Sequence, residues 1–136
     1  MSYAMSAALQ SAVFAAVSAD MAVSGAVGDA VYDALPGGSL PPLYVSIGPE
    51  TVVAEDDKTG GGAAHRFVVS VVTEVPGFFA AKEVAGAVCD ALQDADLTLS
   101  RGRLVSLRFE RARAVKIDKG TGRRIDLTFR ARTEDN

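Results

Sequence analysis

His65 to Val75 reads HRFVVSVVTEV, and this run decides the fold. In an extended chain Phe67, Val69 and Val71 fall on one side, and Arg66, Val68, Ser70 and Val72 on the other. Both sides are largely apolar, which predicts a central strand. Pro76-Gly77 ends it. Upstream, Pro41-Pro42 forces extended backbone, and Leu43, Val45 and Ile47 then alternate with Tyr44 and Ser46 in a second strand. Gly48-Pro49 marks a bulge or an edge position there, with Thr51-Val52-Val53 continuing beyond it. Downstream, Arg124 to Thr133 alternates without fault: Ile125, Leu127, Phe129 and Ala131 inward, Arg124, Asp126, Thr128, Arg130 and Arg132 outward. Arg103 to Ile117 is less regular. Leu107, Phe109, Val115 and Ile117 share one face, yet Arg111 and Arg113 have the same parity. Either a bulge shifts the register near Arg111, or the far half of the strand leaves the core. The turn Asp118 to Gly122 joins these last two strands into a hairpin.

Two helices flank this set. Tyr3 to Ala19 carries Met5, Leu9, Ala12, Val13, Ala16 and Val17 at three- and four-residue spacing. Asp20 caps a short further turn through Val23, stopped by Gly25 and Gly28. Val31-Tyr32 is a short extended piece. Phe78 to Asp94 forms the second helix, with Phe78, Ala81, Ala85, Val88 and Leu92 as its stripe. The order αβββαββ predicts an α+β domain spanning 1–136: a mainly antiparallel sheet of four to five strands with two helices packed on one face.

The 136 residues suit one domain, and 49% hydrophobic content excludes a wholly disordered chain. The apolar half is light, with 23 Ala and no Trp, so the core of a lone subunit is modest. One Cys excludes an intrachain disulfide framework and a multi-Cys zinc site. The net charge of −3 hides an asymmetry: residues 1–100 carry twelve acids and three bases, and residues 101–136 carry eleven bases and five acids. Residues 1–19 have no charged side chain, so the positive start of a signal peptide is missing. The stretch is too rich in Ala and Ser for a membrane span, and a helix outside the membrane is the expectation.

Catalytic chemistry has little support. There is no G-x-S-x-G elbow, and His65 is the sole candidate base, read as a loop-edge or locally bonded imidazole. Cys89 reads as a small buried hydrophobe. Glu55 to Ala64 (EDDKTGGGAA) reads as one solvated loop, mobile in an isolated subunit. Its Gly run lacks the Lys-Ser/Thr and following helix of a phosphate loop, and its acids lack EF-hand spacing. No cofactor or metal is expected. The basic ending is more informative. Arg108, Arg111, Arg113, Arg124, Arg130 and Arg132 lie on two paired strands, whose cross-strand geometry gathers several on one surface. That surface suits phosphate contact or an acidic protein partner, which the chain's own first 100 residues offer.

The succession VYDALPGGSLPPLYVSIG, DDKTGGGAAHRFVVSVVTE, GFFAAKEVAGAVCDAL and LVSLRFERARAVKIDKGTGRRIDLTFRARTE resembles the tail terminator (tail completion) proteins of long non-contractile phage tails. It looks closest to the versions in phage-like gene transfer agents. The likeness spans nearly the whole chain, and the order of elements carries it. The resemblance implies a non-enzymatic virion protein, assembled in the bacterial cytoplasm with no membrane step. It implies a hexameric ring that caps the tail tube, ends its polymerisation and meets the head connector (stopper) protein, with DNA passing through the lumen without sequence-specific binding. Subunit contacts are then expected at the six arginines, and tube or connector contact at Asp56, Asp57, Lys58 and Thr59. The alternatives from other classes are a small nucleic-acid-binding module using the Arg-rich hairpin and a small hydrolase.

Overall fold

A computed structural model describes residues 3–56 and 60–135. Helices α1 (Ser6–Ala19) and α2 (Met21–Val27) precede strands β1 (Val31–Tyr32), β2 (Leu43–Ala54) and β3 (Gly62–Thr73). Helix α3 (Phe79–Leu92) and strands β4 (Arg103–Ile117) and β5 (Gly122–Glu134) complete the chain. The five strands form one sheet in the order β1-β2-β3-β5-β4. Only the β1–β2 pair is parallel. The helices pack on one face, so the α+β reading holds. The short turn after Asp20 is a seven-residue helix that runs through Gly25 and stops at Gly28, with the Asp20 carboxylate accepting the Val23 N–H at 3.0 Å.

The central position of β3 follows from its two apolar faces. Phe67, Val69 and Val71 are buried beneath the helices, meeting Leu9, Val13 and Val17 of α1 and Val84, Val88 and Leu92 of α3 within one core. Val68 and Val72, on the opposite face, are half-buried. Across the sheet Phe67, Phe129 and Phe109 occupy one rung. Phe67 stacks on Phe129 with centroids 5.7 Å apart, and Phe109 meets Phe129 edge-on at 6.0 Å. Small side chains elsewhere let the helices sit close: Ala81 and Ala131 are fully buried.

Of the three register shifts in the sheet, one in β2 and two in β4, the β2 shift and the second in β4 revise the expected strand parities. In β2 the register shifts between Ile47 and Glu50, around Pro49, which has no N–H for a ladder bond. Glu50 is thereby turned to the helix side. In β4 the register shifts between Phe109 and Arg111. Before that bulge Leu107 and Phe109 face the helices. After it Ala112 and Ala114 do, opposite Leu127 and Ile125. The expectation that Val115 and Ile117 face the core is thus corrected: the extra residue moves them, with Arg111 and Arg113, to the helix-free face. The β4 residues from Arg108 to Ala114 are all exposed, so the strand's far half also leaves the core. The expected loop Glu55 to Ala64 is shorter than read, because Gly62, Ala63 and Ala64 belong to β3 and are buried.

No single helix is long and apolar enough to cross a membrane, and α1 and α2 are bent by 73° at Asp20. Gly102, just before β4, has φ +62°, and a Cβ there would lie 2.4 Å from the Glu134 carbonyl oxygen and 2.7 Å from the Met5 side chain. Gly102→Ala is therefore expected to cost about 1–3 kcal/mol, read as a lower urea midpoint at unchanged slope. Gly86→Ala, with open space around its Cβ, should be neutral or stabilise α3 by up to about 1 kcal/mol.

Candidate functional site

Directly opposed residues in a ladder face the same side, so the register builds the helix-free face rung by rung. Arg66, Arg130 and Arg108 form one rung across β3, β5 and β4. Val68, Thr128 and Arg111 form the next, followed by Ser70, Asp126 and Arg113, then Val72, Arg124 and Val115. Arg132 lies one rung beyond Arg130, beside Ala64 and Ser106. All six arginines expected at an interface therefore share one face, and Arg66 joins them. Among the described residues only Glu55, Glu110 and Asp126 answer them with ion pairs on that face.

The six divide by partner. Arg130 and Arg132 both reach Glu55, at 3.0 and 2.9 Å, and Arg132 also donates to the Glu55 carbonyl at 3.3 Å. Arg124 pairs with Asp126 at 3.0 Å, and Asp126 accepts the Ser70 hydroxyl at 2.7 Å. Arg66 forks onto Glu110 at 2.9 and 3.3 Å, and those hydrogen bonds hold the Glu110 carboxyl below its ordinary range. Arg108, Arg111 and Arg113 make no salt bridge among the described residues. Arg111, Arg113, Arg124 and Asp126 line a concavity of about 360 Å³ floored by Val68 and Thr128. It presents two exposed guanidinium groups without a fixed partner.

At the start of the acidic loop Glu55 and Asp56 are held in place. Glu55 is held by both arginines and by its own N–H bond to the Gly62 carbonyl at 2.8 Å. The Asp56 carboxylate accepts the Gly62 N–H at 3.1 Å. Asp57, Lys58 and Thr59 lie outside the described residues.

On the other face a polar network ties α1 to the sheet. Tyr3 and Ser6 each donate a hydroxyl proton to Glu50 Oε1 at 2.5 Å. His65 is fully buried, with Nδ1 3.4 Å from Glu50 Oε2 and Nε2 3.0 Å from Thr133 Oγ1. A neutral ring protonated at Nδ1 suits both: it donates to the carboxylate and accepts from the hydroxyl. His65 is thus not a loop-edge imidazole but part of the core, and Ser6 bonds the carboxylate rather than the ring. The contact between nucleophile and base that acyl transfer requires is not formed by these residues. Burial pushes the Glu50 carboxyl up, and the hydrogen bonds from Ser6, Tyr3 and His65 outweigh it, leaving the group below its ordinary value. Cys89 is half-buried, and burial together with Asp90 pushes its thiol up. No group of three or more His, Cys, Asp or Glu able to hold a metal occurs among the described residues.

The β2 bulge explains why sequence reading missed this network. With Glu50 on simple alternation from Ile47, it would have faced solvent. The only available signal was Pro49 inside a strand.

The chain is thus a five-stranded α+β domain with arginines gathered on its helix-free face and a polar network enclosed on the other. The model of the family described as "Tail completion protein gp17" matches residues 11–134, and the chain belongs to that family. It is a structural protein of a phage-type tail. It is similar to a chain in the solved virion of a native gene transfer agent (GTA) particle, at 56% identity and a TM-score of 0.93, covering 98% of this chain and 99% of that one. No curated protein matches it.

Because the Glu50 pKa is depressed by folding, its contribution to stability is complete above the ordinary carboxylate range, about pH 4.3, and is lost as pH falls below it. Glu50→Gln should flatten that part of the stability–pH profile. It should also cost about 1–3 kcal/mol near neutral pH. Chemical denaturation at pH 3 to 7 checks both.

Proposed function

We propose that this chain is the subunit of a ring, six copies around, that caps the tail tube, ends its polymerisation and joins the tail to the head connector of a GTA-type particle. The observation that carries this is the end-to-end correspondence with a chain of the GTA virion. Physical grounds support it. One 14.1 kDa domain cannot surround a duplex, so a passage for DNA requires several copies in a closed head-to-tail ring. The Ala-rich core leaves part of the stability to contacts between subunits. The six arginines lie at the subunit seam. Arg124, Arg130 and Arg132 hold the face rigid through Asp126 and Glu55, while Arg108, Arg111 and Arg113 are left to meet a neighbour's carboxylates. Asp56 and residues 57–59 contact the tube or the connector. DNA slides through the lumen without sequence-specific binding, the ring assembles in the bacterial cytoplasm, and the protein catalyses no reaction.

The exposed arginine rungs favour one second reading, a nucleic-acid-binding module. Against it, Phe129 is buried and Phe109 lies on the opposite face from the arginines, and the aromatic pair on their own face, Tyr32 and Tyr44, sits on β1 and β2 at the far side of the sheet from the β4 arginines.

Native mass measurement at physiological salt is expected to give six times the chain mass. Arg111→Glu with Arg113→Glu should change unfolding stability by no more than about 0.5 kcal/mol, because both positions are exposed, yet shift the mass to the monomer. Wild-type affinity for duplex DNA should be no tighter than about 10⁻⁴–10⁻⁶ M. Nanomolar binding by a monomer would instead establish the second reading.

A further inference from the structure

Strand order places β1 at one edge of the sheet and β4, the first strand of the basic hairpin, at the other. The edges differ in charge and shape. No Lys or Arg precedes Lys58, and the segment around β1 carries Asp29 and Asp33. β4 carries Arg103, Arg108, Arg111, Arg113 and Lys116 against a single acid, Glu110. Direct strand-to-strand addition is disfavoured at both edges: β1 has two residues, and β4 has two bulges and a row of cations.

The helix side of β4 is open. α3 covers β3 and β5 but leaves Ala112 and Ala114 exposed beyond the bulge, with Phe109 40% exposed at the near end. The flank of α3 opposite them presents Lys82, Gly86 and Cys89. Together they line an apolar groove of about 260 Å³ whose floor is low because its side chains are small. Lys116 follows Ala114 on the same side, so the rim is basic. At the far edge the β1–β2 connection holds Leu35 53% exposed, two residues after the exposed Asp33 and just before Pro36.

We infer that this groove is the socket for the β1–β2 connection of a second copy of this chain, Leu35 entering between α3 and β4 and Asp33 meeting the Lys82 and Lys116 rim. The inference rests on the ring reading above and adds to its seam a contact on the helix side of β4, across that edge from the arginine face. A protrusion on one edge and a socket on the opposite edge make a heterologous contact, the type that generates a ring when its rotation closes. Opposite charge on the two edges sets the polarity and disfavours like-to-like pairing.

Cys89 is the chain's one native thiol, and it lies in the socket. Leu35→Cys in the full-length protein therefore supplies a direct test. Oxidation at alkaline pH, chosen because the Cys89 thiol is pushed up, should give a ladder of covalent multimers ending at six. Wild type and the Leu35→Cys/Cys89→Ser variant should give nothing beyond dimers. Separately, Asp33→Lys and Lys82→Glu should each raise the concentration at which the ring dissociates about fivefold, and the two together should restore it. A Leu35→Cys protein that retains ring mass without a ladder overturns the seam and leaves the ring standing. A wild-type monomer at every concentration and salt overturns both. A ladder running past six contradicts closure.

Discussion

One extra residue in β4, at the Phe109–Arg111 bulge, separates the two faces on which this protein depends. Side chains in a strand alternate with period two, so a single insertion exchanges the faces of everything after it. Without it, Arg111 and Arg113 would point to the helix side of the sheet, into the groove beside α3, and the opposite face would lose both charges. With it, they join Arg66, Arg108, Arg124, Arg130 and Arg132 on the helix-free face, and Ala112 and Ala114 take the inner positions. The bulge also ends the core. Beyond Phe109, β4 turns Ala112, Ala114 and Lys116 to the helix side, and no helix covers the alanines.

Much of this organisation was legible in the sequence, and the illegible part has a common cause. Alternation in β5 and the doubly apolar run of β3 placed both strands and their faces. The order of elements identified the fold class and the family. Register shifts hid the rest. The conflict of parity at Arg111 was visible, but alternation alone does not say whether a bulge or a departure from the core resolves it; the structure has both. The Gly48–Pro49 bulge was visible as well, yet its consequence was not: it turns Glu50 inward to Tyr3, Ser6 and His65, residues 15 to 47 positions away. Glu55 looked like one more loop acid. Its role as the anchor of Arg130 and Arg132 depends on pairing across 75 and 77 positions, which composition cannot report.

The same features connect fold to assembly. Sequence charge, acidic first and basic last, becomes spatial charge because the sheet puts β1 and β4 at opposite edges. Fixed internal pairs at Glu55 and Asp126 keep the arginine face ordered, while three arginines remain available for a partner. The proposed ring needs such directional contacts, since each subunit in it would meet copies of itself sideways and different proteins above and below. The polar lock between α1 and the sheet keeps the uncharged first helix in place while those contacts form.

The central claim, that this chain ends the tail, is tested most directly by tail length in particles from cells lacking it. Electron microscopy of such lysates should show tubes of irregular and excessive length, with DNA-filled heads unattached to them. Complementation with the wild-type chain should restore uniform, attached tails. Tails of normal length joined to heads in the absence of the chain would contradict the account.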